Sequence, residues 1–248
     1  MQPYQSPESG ITFGQEHLDA TDFIPPRVKV VQAMSQEAVD GKAKVGEFFN
    51  TLTGENYGSV LRFIPLTTFK NRVLIVRPEK RDEINEVLTG AGLPASVEGD
   101  GLQCRSLDMV QGTGTPGMDC AVCPLAEWRG PKIPPLCSES YNITAMNELG
   151  DLIILSFSKS AAKTGKKLIS TMRMRREKPW TSVFELSTRT EKNDRGSFAV
   201  PDFRQTADRT DDALLRQAQT WLSVVTGRVI DVTPDDYTEE PSEDAAPF

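Results

Sequence analysis

Four cysteines, Cys104, Cys120, Cys123 and Cys137, are the residues of this chain best placed by type and spacing to do chemistry together. They stand in the pattern Cys-x15-Cys-x2-Cys-x13-Cys, and no other cysteine occurs among the 248 residues. Four thiolates complete a tetrahedral zinc site, with the close pair Cys120 and Cys123 forming one knuckle. The surrounding segment is dense in Gly and Pro and shows no lasting hydrophobic period. It needs something other than an apolar core to order it, and metal binding supplies that free energy. Cys104 and Cys137 each stand alone, unlike the paired knuckles of most such sites. The same ligands also suit an iron–sulfur cluster, or buried thiols that hold nothing. A site with four protein ligands leaves no position for water, so zinc here is expected to be structural.

Other routes to catalysis are poorly served. The one histidine, His17, lies in an irregular leader, so no Ser-His-Asp or Cys-His arrangement is available. Gly165-Lys166-Lys167 has some likeness to a phosphate-binding loop. However, Ser160 stands where the first glycine is required, and Lys167 where Ser or Thr should hold magnesium. The expectation is a protein that is not an enzyme.

A second set of residues suits single-stranded nucleic acid, which needs cations along the phosphates and aromatic faces for the bases. Ser158–Lys178 contains eight Lys and Arg and only Glu177 against them. Its cations Lys166, Lys167, Arg173 and Arg175 lead to Trp180, while Phe69, Lys70 and Arg72 put an aromatic beside two cations earlier in the chain. Taken singly, Phe69 and Trp180 also fit a core. The stretch 229–248 carries seven acidic residues and no Lys or Arg, and ends in Pro247-Phe248. Too little apolar surface is present there to offset ordering, so a disordered acidic tail is expected. Its Asp235, Asp236, Glu239, Glu240, Glu243, Asp244 and Phe248 form a candidate partner-binding set, with a plain solubility tail as the alternative.

The elements that must position these residues are mostly short strands. Arg27–Ala33, Gly46–Leu52, Ser59–Leu66, Asn71–Arg77, Asp151–Ser158, Lys167–Arg176, Thr181–Thr188 and Gly196–Val200 read as strands, from β-branched content or alternation. Lys80–Thr89 reads as a short helix, and Asp211–Val225 as the one long helix, with Leu214, Leu215, Ala218, Trp221, Leu222 and Val225 on one face. Connections this short favour a mainly β fold, a small antiparallel barrel, over a doubly wound sheet. The expected organisation is an irregular leader at 1–26, a binding domain at 27–228 with a cysteine insertion at about 90–137, and the tail at 229–248. No run is long and apolar enough for a membrane span, and the start of the chain lacks the pattern of a signal peptide, which places the protein in a cytoplasm.

The tail Glu243-Asp-Ala-Ala-Pro-Phe248 resembles those of bacterial and phage single-stranded DNA-binding proteins. The stretches Phe23–Gln32 and Gly46–Gly54 are similar to phage proteins of that kind. The resemblance implies a barrel of oligonucleotide-binding (OB) type with zinc in an insertion. It also implies coating of single-stranded DNA in phage replication or recombination, in the host cytoplasm, and recruitment of replication or recombination proteins through the tail. The alternative is a transcription accessory factor that binds single-stranded promoter DNA and recruits an RNA polymerase.

Overall fold

A computed structural model of the chain describes residues 26–130, 133–193 and 196–226, so the expected leader and tail lie outside the described residues. The fold is mainly β. Ten strands form one sheet: β1 (Arg27–Val30), β2 (Phe48–Asn50), β3 (Asn56–Gly58), β4 (Val60–Val76), β5 (Gly101–Ser106), β6 (Thr113–Gly114), β7 (Ser138–Asn147), β8 (Leu152–Ser158), β9 (Ser182–Asn193) and β10 (Gly196–Arg209). The helices are α1 (Gln36–Val39), α2 (Arg81–Gly90), α3 (Ala162–Met174) and α4 (Asp212–Val225).

Strand β4 organises the sheet. The two segments read separately as Ser59–Leu66 and Asn71–Arg77 are one strand, bent by an irregularity between Pro65 and Thr67. Its first residues pair with β9, as in Phe63 opposite Phe184, and its far end pairs with β5. Along most of its length it pairs with β7 on the other edge, which puts Lys70 opposite Tyr141 and Arg72 opposite Glu139. A bulge of this kind increases local twist, which lets one long strand serve two parts of a curled sheet. The full order is β10-β9-β4-β7-β8-β1-β2-β3, with β5 and β6 branching from β4.

The expected all-antiparallel barrel is corrected here. Strand β1 runs parallel to β8, so the sheet is mixed, and no strand ladder joins β10 to β1. That seam is closed by a side chain: Gln32 Nε2 donates to Ala199 O at 2.9 Å, and Gln32 Oε1 accepts from Ala199 N–H at 3.0 Å. A primary amide matches the donor and acceptor of one peptide group, so it substitutes for a rung of the ladder.

Inside the curl, Leu61, Phe63, Ile143, Phe157, Phe184 and Leu186 form the main core, and α3 closes it with Leu168 and Met172. The Phe63 and Phe184 rings pack tilted, with centroids 5.9 Å apart. A second, smaller core lies in the excursion between β4 and β7, where Leu74, Val76, Ile84, Leu88, Val97 and Leu125 pack together. Helix α4 covers a third cluster built on Ile64, Leu66 and Met146. The side chain of Asp211 accepts from Leu214 N–H at 2.8 Å and caps α4. Trp221 Nε1 and Gln217 Nε2 each donate to Gly150 O at 2.9 Å, tying α4 to the turn between β7 and β8.

Two further expectations change. Lys167–Arg176 is not a strand: its residues belong to α3 and the turn after it, so α4 is not the single long helix of the fold. Strand β7 lies in a stretch the sequence reading left unassigned, yet it is central, with Asn142 and Thr144 fully buried. No described helix is long and apolar enough to cross a membrane.

Candidate nucleic-acid groove and cysteine cluster

Helix α3 carries Lys163, Lys166, Lys167 and Arg173 and no acidic residue. Its apolar positions Leu168 and Met172, four apart, turn to the core and fix which cations face outward. Lys166, Ile169, Ser170 and Arg173 then share one exposed or half-exposed stripe. Opposite that stripe runs the β4–β7 ribbon with Thr68, Phe69, Lys70 and Tyr141. The turn Leu107–Met109, which follows β5, closes the third side. These elements enclose a groove of about 670 Å³.

Tyr141 is the centre of this groove. Its ring lies under two ammonium groups, with Lys70 Nζ 4.9 Å and Lys166 Nζ 5.2 Å from the centroid. Cations at this distance are attracted to the negative face of an aromatic ring. Lys70 also pairs with Glu139, whose other oxygen is 3.8 Å from Arg72 Nη2. Burial works against the charge on Glu139, but Lys70, Tyr141 and Arg72 outweigh it and hold the carboxyl below its ordinary range. By contrast, Lys163, Lys166, Lys167, Arg173 and Arg176 form no ion pair with any described carboxylate. Elsewhere on the sheet the arginines are largely neutralised, as Arg62 is by Glu148 and Asp208, Arg204 by Glu185 and Arg209 by Glu177.

The turn that forms the third wall is held by its own side chain. Asp108 Oδ1 accepts from Val110 N–H at 2.8 Å, from Gln111 N–H at 3.3 Å and from Ser106 Oγ at 3.0 Å. Those donors keep its carboxyl below the usual carboxylate range.

Beside the groove, further along β4, the four cysteines line one small cavity together with Arg72, Leu74, Met118 and Leu125. Cys104 sits on β5, Cys120 and Cys123 on the loop beyond β6, and Cys137 just before β7. Opposite Cys104, strand β6 needs glycine at 114, where φ is +104° and a Cβ would stand 2.1 Å from Gln103 O. Burial raises the thiols of Cys104 and Cys123 and pushes that of Cys137 up to about 12. Among the described residues, no three His, Cys, Asp or Glu side chains are drawn together at metal-holding geometry. The thiols therefore converge on a shared space without being gathered to ligating distance. A cation is what would offset the cost of gathering four thiolates there.

The sequence model of the Pam3 phage gp34-like protein family matches residues 4–83 and 136–230. The chain belongs to that family. No curated protein and no solved structure matches it. In this phage protein the two matched segments contain β1 to β4, β7 to β10, α3 and α4, hence the main part of the sheet and the groove residues Lys70, Tyr141, Lys166 and Arg173. The unmatched stretch between them contains β5, β6 and three cysteines, Cys104, Cys120 and Cys123, with the Leu107–Met109 wall.

Of the residues singled out for nucleic acid in this Pam3 gp34-like chain, four share the groove: Phe69, Lys70, Lys166 and Arg173. The other four lie elsewhere. Lys167 faces the far side of α3, with Nζ 5.4 Å from the Phe203 centroid. Arg72 lines the cysteine cavity. Arg175 donates to Ser182 Oγ at 3.0 Å at the end of α3. Trp180 packs half-buried against the Ile64 and Met146 cluster under α4, with Lys178 over its ring at 5.4 Å. Asp235, Asp236, Glu239, Glu240, Glu243, Asp244 and Phe248 lie outside the described residues. Sequence reasoning missed Tyr141 and the wall at Leu107–Met109. The signal for Tyr141 was a lone aromatic in the polar run that leaves the last cysteine.

Proposed function

We propose that this phage protein binds single-stranded DNA, non-catalytically and without strong sequence preference, in the groove between α3 and the β4–β7 ribbon. The observation that carries the reading is Tyr141, an aromatic face flanked by Lys70 and Lys166 at about 5 Å, with the unpaired Arg173 along the same wall. Stacking on such a face contributes about 1–3 kcal/mol per base, and cations tracking the backbone supply the salt-dependent remainder. Neither interaction reads base identity.

Topology supports the finer fold reading. Strands β4, β7 and β8 form a meander, α3 follows, and the hairpin β9–β10 returns to pair with the start of β4. That order is like the connectivity of a five-stranded OB barrel, with β1 and β2 added beyond the third strand. In such barrels the faces of the second and third strands and the loops beside them take up oligonucleotides. Here the groove is built against β7, the second strand, and the excursion from β4 forms its wall.

The cysteine cluster is proposed to hold one structural zinc ion through Cys104, Cys120, Cys123 and Cys137, with Arg72 as the nearby cation. The acidic tail is proposed to recruit replication or recombination proteins, with Phe248 as its anchor. Fluorescence-anisotropy titration with single-stranded and duplex oligonucleotides across salt concentrations tests the central claim. Preference for the single strand and a steep loss of affinity with salt are expected. Equal affinity for duplex, or indifference to salt, would sink the groove.

A further inference from the structure

The three groove cations are not equivalent, and the difference lies in Glu139. Lys166 and Arg173 meet no described carboxylate, whereas Lys70 is already paired with Glu139 Oε1. The strand register builds this pairing. Lys70 and Arg72 project from one face of β4, and their partners across the ladder are Tyr141 and Glu139. The carboxylate therefore lies between a cation that faces the groove and one that lines the cysteine cavity. Arg72 is the more buried of the two, with 15% of its side chain exposed against 41% for Lys70. Its Nη2 stands 3.8 Å from Glu139 Oε2, short of a hydrogen bond.

We infer that Glu139 is a built-in competitor for the phosphodiester, occupying Lys70 when the groove is empty and passing to Arg72 when a strand enters. This inference rests on the groove proposed above. A phosphate that reaches Lys70 must displace a carboxylate, and a carboxylate left without a partner in a half-buried site is costly. Arg72 removes that cost, because a guanidinium can take both carboxylate oxygens after a short movement. The exchange keeps Lys70 and Glu139 paired in both states. It also gives Lys70 a role distinct from that of Lys166: the α3 cations attract a strand at long range, while Lys70 engages only after Glu139 has moved away. Affinity is thereby held below what three free cations would give, which suits a protein that must release its strand to an enzyme.

The experiment compares the full chain with Glu139→Gln, Lys70→Met and the double variant, using a labelled single-stranded oligonucleotide titrated across salt concentrations. Gln keeps the shape and loses the charge. Glu139→Gln is expected to bind about 3–10-fold tighter at low salt, with the slope of log affinity against log salt steeper by about 0.7, the value for one more phosphate contact on a single strand. In the Lys70→Met background the same substitution should change neither quantity. Glu139→Asp, which keeps the charge on a shorter arm, should give part of the gain and serves if the Gln variant does not fold. A gain of equal size with and without Lys70 would show a general field effect and overturn the exchange. Unchanged or weaker binding by Glu139→Gln, with normal binding by the parent chain, overturns it and leaves the groove standing. Failure of the parent chain to bind removes both.

Discussion

Gly165 and Tyr141 are in such close contact that a Cβ at position 165 would stand 3.0 Å from the Tyr141 Cβ, and only 2.6 Å from that of Phe157. Helix α3 lies on the β7–β8 pair at this point because residue 165 has no side chain. That approach sets the distance between the Tyr141 ring and Lys166, one residue further along the helix. Gly165→Ala therefore sets two effects against each other. Helix propensity favours Ala by about 1 kcal/mol, while forcing a methyl into a packed contact costs about 1–3 kcal/mol. The atoms it would meet are rigid Cβ positions, so the clash should win, and thermal denaturation should show a lowered Tm. Single-strand affinity should fall with it as the ring and the ammonium separate.

Tyr141→Ala should weaken single-strand binding by about 1–3 kcal/mol, the contribution of one stacked base. Tyr141→Phe keeps the ring and should bind nearly as the parent does. Anisotropy titration separates the two, and parallel melts guard against loss of fold, because Tyr141 also packs against the main core. Equal losses in both variants would place the role in the hydroxyl instead of the face.

Charge reversal along α3 should be directional. Lys166→Glu combined with Arg173→Glu is expected to lower affinity at least tenfold, about 1.4 kcal/mol. Both side chains are exposed, so stability should change little. Lys167→Glu, on the side facing Phe203, should have a clearly smaller effect. If Lys167 matters as much as the pair, the strand passes over the β10 side of the helix.

Metal analysis of protein purified without chelators should find one zinc per chain. Cys120→Ser, or removal of the metal, should make the stretch between β5 and Cys137 sensitive to protease while the main sheet keeps its circular dichroism. The reason is that the cluster around Leu74, Ile84 and Leu125 is separate from the main core around Phe63 and Phe184. Protein that is fully folded and protease-resistant with no metal bound would end the zinc proposal.

How legible these features were in the sequence differs from element to element. Helix α4 could be read because six apolar residues fall on one face and Asp211 supplies a cap. Helix α3 was misread because Leu168, Ser170, Met172 and Met174 alternate with Lys167, Thr171 and Arg173, and ten residues with few apolar positions fit period two nearly as well as 3.6. Only packing decides, through Leu168 and Met172 against the core and Gly165 against Tyr141. As a consequence Lys166, not Lys167, shares a face with Arg173. Strand β7 was overlooked although Tyr141, Ile143 and Ala145 alternate with Asn142 and Thr144. The apolar positions are few, and the polar ones are buried too, with Asn142 Nδ2 donating to Asn71 Oδ1 at 2.8 Å, so the strand lies inside the sheet on both faces. The convergence of four cysteines on one cavity, by contrast, followed from their confinement to a single segment.

The excursion that carries the cysteines leaves β4 and returns to β7 at neighbouring rungs, since Val73 faces Ser138 across the ladder. Its two ends are therefore as close as the arms of a hairpin, and the connectivity of the sheet would be satisfied by a tight turn in its place. Because the excursion also brings most of an apolar cluster, packed on Leu74 and Val76 of β4, it has the character of a graft: a unit that could be exchanged without redrawing the rest of the sheet. The family match stops at residue 83 and resumes at residue 136, on either side of that joint. What such an exchange would alter is the wall at Leu107–Met109, and with it how deeply Tyr141 is enclosed.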